Sequence, residues 1–298
     1  MVLADAAGGA SWNLVRDVQQ LWSFPFMVNA FRAGAIVAVT AGVIGWFMVL
    51  RRQTFAGHTV AVAGFPGAAG AVLLGIGAGY GYFGFCVGAA LVIALPARGG
   101  SGGAAHESAL TGTVQAFALA CGMLFVALYK GFLNGVDALL FGDFLGITDG
   151  DVLTLAVVAA VMLAVMAVIG RRLLFATVDP AVAAARGVPV RALGAVFLVL
   201  LGAATAEASR ITGSLLVFAL LVMPAATAQR ITARPAASLL LTVLIGWLVT
   251  WAGLAVAYFT VYPIGFYITA LAFAVYVGAY VVSGVAPGVR ARAARRAA

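Results

Sequence analysis

Charge is what this sequence has least of. Only 9% of its 298 residues are charged, while 64% are hydrophobic and the mean hydropathy is +1.13. A soluble globule of this size needs far more polar surface than that, so the composition excludes one and implies an integral membrane protein. The ten-residue apolar/polar alternation of an outer-membrane barrel is missing. A cysteine framework is missing too, because Cys86 and Cys121 both fall inside apolar runs and read as small packing residues. The opening stretch MVLADAAGGASWNLVRDVQQLW has no basic start followed by an apolar core, so it does not read as a cleaved secretory signal. Its Trp12, Leu14, Val15, Val18, Leu21 and Trp22 fit one face of a short helix lying in the interface.

What is present is a series of long apolar runs. At about 1.5 Å per residue, runs of roughly 18 residues or more cross a hydrocarbon core near 30 Å, so the expected fold is all-α, a polytopic helical bundle. Nine spans are expected, at 27–50, 56–78, 80–97, 109–129, 152–170, 191–207, 211–228, 236–260 and 264–283. They divide the chain into an extracytoplasmic or interfacial segment (1–25), a transmembrane domain (26–284) and a basic cytoplasmic tail (285–298). Lys and Arg test this division, because they collect in cytoplasmic loops. Thirteen of the seventeen fall in alternate loops and the tail, against Arg16, Arg32, Lys130 and Arg210 on the other side. The expected amino terminus is therefore outside and the carboxyl terminus cytoplasmic, with the chain as a multi-pass protein of the inner (cytoplasmic) membrane. The +8 net charge then needs no nucleic-acid partner, since arginines at helix ends beside anionic membrane lipid account for it.

Glycine is abundant, 37 residues, and clusters with alanine inside spans, where small residues let helices approach closely. Span two carries Gly57, Gly64, Gly67 and Gly70 together with Pro66, which fits a tightly packed and bent helix. Three segments stand out between spans. RGGSGGAAHES (98–108) reads as a flexible link in which His106 is solvated and Glu107 or Ser108 caps span four. NGVDALLFGDFLGITDGD (134–151) is too polar to span and too apolar for a free loop, so it reads as a re-entrant or interfacial piece. FATVDPAVAAARGVPVRALGA (175–195) holds a short helix started by Asp179 and Pro180 and stopped by Gly187, which serves either as a docking surface or as a plain connector.

A family resemblance rests on four ordered blocks: VLRRQTFAGHTVAVAGFPGAAGA (49–71), LFGDFLGIT (140–148), the Asp-Pro…Ala…Gly-Val pattern of 179–188, and GSLLVFALLVMPAATAQR (213–230). Over almost its whole length the chain resembles the integral membrane permease subunits of zinc and manganese ABC importers. The resemblance implies a permease homodimer working with a separate ABC ATPase subunit and an extracytoplasmic metal-binding protein. ATP binds the partner, and no cofactor is expected in this chain, which has no Walker phosphate loop. On this reading 175–191 looks like the coupling helix, with Asp179, Pro180 and Gly187 as its marks, and 134–151 looks like part of the face that receives the binding protein.

The resemblance also bears on His58. In that family a carboxylate and an imidazole stand at i and i+4 on one helical face, a pairing suited to zinc or manganese. Here His58 takes the first position and Val62 the second. His58 lines a metal path, as one of a pair across a two-fold axis, or it snorkels to the cytoplasmic interface close to Arg52. Glu207, at the expected outer end of span six, either attracts a cation to the mouth of the path or is neutralised by Arg210. Thr59, Gln115, Thr212 and Thr227 offer further oxygens, most of them expected to bond back within their own helices.

The resulting expectation is the permease subunit of an ATP-driven divalent-metal importer, zinc first and manganese second, and not itself an enzyme. The alternatives are an importer of a metal chelate or other small solute and, in a different class, an ATP-independent channel or membrane scaffold.

Overall fold

The structure, a computed structural model, describes residues 14–95, 104–129, 139–140, 146–260 and 262–297. The regular structure among these residues is helical: α1 (Leu14–Ser23), α2 (Pro25–Leu50), α3 (Thr54–Leu73), α4 (Ala78–Ala94), α5 (Ala104–Leu128), α6 (Asp149–Val178), α7 (Pro180–Ala185), α8 (Val190–Ile231), α9 (Pro235–Tyr258) and α10 (Ile264–Ala297). Seven helical stretches are long and apolar enough to cross a membrane, and two more apolar helices, Ala78–Ala94 and Val217–Ile231, are shorter. Residues 1–13, the link at 98–103, the side chains of His106 and Glu107, residues 134–138 and 141–145, the Thr212 side chain and the side chains of the basic tail lie outside the described residues.

The helices begin and end where local chemistry dictates. Proline occupies the first turn of α2, α7 and α9, where its missing N–H costs nothing. The twin arginine forms the turn between α2 and α3. Arg52 sits at φ 57°, and the Gln53 amide reaches back to the Met48 carbonyl at 3.0 Å, closing α2 with a left-handed cap. At the start of α6, Thr148 accepts from the Asp151 amide while the Asp151 carboxylate accepts from the Thr148 amide, 3.2 Å each, a reciprocal capping box.

α3 lies at the centre, with every residue from 59 to 71 buried. It packs on α4 where a side-chain carbon at Gly67 would run into the Gly81 carbonyl, and one at Gly81 into that of Gly67. That closeness is what the glycine-rich pattern of span two is for. Indole donors tie other helices together: Trp46 Nε1 donates to Ser238 Oγ on α9 at 3.0 Å, and Trp251 Nε1 to the Phe31 carbonyl on α2 at 3.2 Å. α1 covers the far end of this pair, with Leu21 buried and the Trp22 ring stacked on Phe31 at 5.7 Å.

α8 departs most from expectation. Forty-two residues of straight helix would reach about 63 Å, yet both of its ends lie beside the same end of α2. Phe197 sits under the Arg51 guanidinium at 5.4 Å, and Gln229 Nε2 donates to the Trp46 carbonyl at 2.9 Å. The chain folds back at Gly213, which has φ 72° and ψ 163°. The expected break between spans six and seven, at 208–210, thus moves to 213. Glu207 thereby leaves the end of a span and enters the interior of the first arm of α8, 190–212.

Candidate functional site

His58 lies in the second turn of α3, close to the arginine turn. It is half-buried, and its ring meets Phe218, on the second arm of α8, edge to face with centroids 4.9 Å apart. Nδ1 is buried without a hydrogen-bond partner. Thr54, Phe55, His58 and Phe218 line an open depression, in which His58 supplies the imidazole. The i+4 position, Val62, is buried and apolar, so the carboxylate-imidazole pair of the resemblance is absent on this helix. One borderline nitrogen beside an aromatic edge can hand an ion along but cannot hold one selectively.

The second ionisable candidate stands apart from it. Glu207 is fully buried, and neither carboxylate oxygen has a hydrogen-bond partner. The expected pairing with Arg210 is not formed. The Arg210 guanidinium instead donates to the Asp151 carboxylate at the start of α6, so its charge is committed across helices. The hydroxyl of Thr40, on α2, bears on the Glu207 carboxyl and also meets the Ile36 and Val37 carbonyls, 3.1 Å each, so three acceptors compete for its one proton. Among the described residues no three His, Cys, Asp or Glu side chains gather where a metal ion could sit.

Several polar groups that sequence reasoning did not single out close the end of the bundle opposite the arginine turn. Tyr82 Oη, on α4, donates to the Leu139 carbonyl at 2.7 Å, and Asn29 Nδ2, on α2, to the Ile147 carbonyl at 3.4 Å. With Arg210 on Asp151, three helices thus hold Leu139, Ile147 and Asp151. The one available signal was the scarcity of polar residues in these spans, which makes each of them costly unless partnered. Of the other expected oxygens, Thr227 does bond back to its own helix, to the Met223 carbonyl at 2.7 Å. Thr59 does not: its hydroxyl donates to Gln115 Oε1 on α5 at 3.1 Å.

At the arginine end, α7 has the termini expected of it. The Asp179 carboxylate accepts from the Val182 amide at 3.0 Å, Pro180 fills the first turn, and Gly187 adopts φ 78°. The Val188 amide then reaches the Ala183 carbonyl at 3.0 Å, which completes the stop. Ala183 points inward and is fully buried, while Val182, Ala184, Ala185 and Arg186 are exposed. The result is a rigid, mostly apolar knuckle anchored on α6 and α8.

Comparison with known proteins places this geometry. A family model described as the ABC 3 transport family matches residues 23–283. The chain is 30% identical over 255 residues to the manganese transport system membrane protein MntC of Halalkalibacterium halodurans, covering 84% of this chain and 83% of that protein. It is also 30% identical over 227 residues to the chelated iron transport system membrane protein YfeC of Yersinia pestis, covering 76% of each. Among solved structures it is similar to PsaBC from Streptococcus pneumoniae in complex with Fab, with a TM-score of 0.79, 25% identity, and coverage of 90% of this chain and 95% of that one.

Proposed function

This chain belongs to the ABC 3 transport family, and from that premise we propose that it is the membrane permease of an ATP-driven importer of divalent metal ions. The observation that carries the reading is the family match, which covers residues 23–283. Two of the relatives named above are transport-system membrane proteins for manganese and for chelated iron, which weights manganese ahead of the zinc expected from the resemblance.

The geometry supports a division of labour. Counting the two arms of α8 separately, the chain crosses nine times, with its amino terminus outside and its carboxyl terminus in the cytoplasm. The α7 knuckle then lies on the inner face, where Asp179, Pro180 and Gly187 shape a coupling helix for a separate ATPase subunit. Energy enters there, and the arms of α8, hinged at Gly213, transmit it to the path. The 134–151 segment is part of the outer face that receives a metal-binding protein. Two copies of the chain bring two His58 side chains to a shared path, which offers an ion two imidazole nitrogens and water in place of the missing pair at Val62.

The test is uptake. Cells deprived of their own metal importers and supplied with this chain, its ATPase and its binding protein should accumulate manganese, and lose most of that uptake with His58→Ala at equal protein level. Accumulation that persists without the ATPase defeats the importer and favours a channel. A chelated-iron relative, together with the apolar Val62 beside His58, gives the chelate importer its support. A panel of free manganese, zinc and iron against their chelates separates that reading from the first.

A further inference from the structure

A carboxylate stripped of water inside a low-dielectric bundle is too costly to stand alone, so something must offset its charge or keep it neutral. At Glu207 nothing fixed does so. Its residue is fully buried, both oxygens lack a donor, and the nearby cation, Arg210, is spent on Asp151. The neighbouring Thr40 hydroxyl is also fully buried and has one proton, for which the Ile36 and Val37 carbonyls compete with the carboxyl, so it brings lone pairs and at most one shared proton to the site. Glu207 and Thr40 therefore bring three oxygen atoms together with no more than one hydroxyl proton among them. That is an arrangement for a cation.

The surroundings agree. Six residues on, about 9 Å along the helix, Gly213 reverses α8, so the first arm ends there and the negative end of its dipole lies on the same side as the carboxyl. The position also separates Glu207 from His58. Thr40 lies eleven residues before Arg51, about 16 Å along α2, whereas His58 lies four residues after the start of α3, about 6 Å along it.

We infer that Glu207 and Thr40 form a second cation station inside the bundle, farther from the arginine turn than His58, which takes a hard divalent ion such as manganese through oxygen ligands. This rests on the reading of the bundle as a metal path and specifies one step within it. A single carboxylate and one hydroxyl, completed by water, hold an ion weakly, as a station in transit must. The donor set also favours manganese over zinc, whose sites draw on nitrogen and sulfur.

Binding is measured on the full-length chain in lipid nanodiscs, equilibrated with manganese(II) chloride, by the loss of the free-ion electron paramagnetic resonance signal. Glu207→Gln keeps the shape and removes the charge, and it should weaken manganese binding by at least about tenfold. Glu207→Asp and Thr40→Val should weaken it by less, and His58→Ala should leave this site filled. The inference is overturned if Glu207→Gln binds as the unaltered chain does, if binding is lost only in His58→Ala, or if the unaltered chain takes up no manganese, which would leave a proton as the occupant. Should Glu207→Gln fail to fold, unchanged affinity in both Glu207→Asp and Thr40→Val overturns it equally. Normal cellular uptake alongside normal binding by Glu207→Gln would sink the station and spare the importer. Manganese binding without any uptake would do the reverse.

Discussion

Gly213 takes φ 72° and ψ 163°, a region that a side chain makes strongly unfavourable, and it does so at the point where α8 reverses. Gly213→Ala should therefore lower stability by about 1–3 kcal/mol, read as a drop in the thermal midpoint of the detergent-purified chain. An unchanged midpoint would mean that the reversal does not depend on this conformation. Alanine at Gly84, inside α4 where a side-chain carbon meets open space, is the control and should not lower the midpoint. At the same scale, the spacing of Glu207 and Arg210 was plain in the sequence, and three residues apart on a helix they were natural partners. What was not legible is that Asp151, fifty-nine positions away, competes for the same guanidinium and takes it. Local spacing ranks partners along one helix and cannot see a carboxylate delivered by another.

Elements whose limits are set by their own residues read well in advance. α7 is the clearest case, because an Asp-Pro start and a glycine stop act within a single turn. Removing the cap with Asp179→Ala should cost about 1 kcal/mol locally. The consequence for coupling should be larger than that for folding: the ATPase should no longer co-purify, while the midpoint of the permease alone moves little. Retained co-purification in both Asp179→Ala and Gly187→Val would remove α7 from the coupling role. α8 reads less well because no proline or long polar loop separates its two arms. The only punctuation there is a glycine followed by a serine, and the expected break was placed near the charged residues Glu207 and Arg210. Charge suggested an interface at that point, whereas packing against α2 and α6 kept both residues within the first arm.

For the whole molecule, the arginine distribution and the fold-back of α8 together predict an odd number of crossings. A reporter active only in the cytoplasm should work when fused after Ala298 and fail when fused before Met1, and the opposite pattern would invert the topology. Membrane residence, helical class and the rough position of each apolar helix were determined by the sequence alone, because a bilayer acts on every segment independently and each must satisfy its own backbone in lipid. The partners of Glu207, Arg210, Tyr82 and Thr59 were decided only by the tertiary structure. A polar group in a dry interior pairs with whichever helix is packed against it, and the order in which helices pack is not written in any one of them.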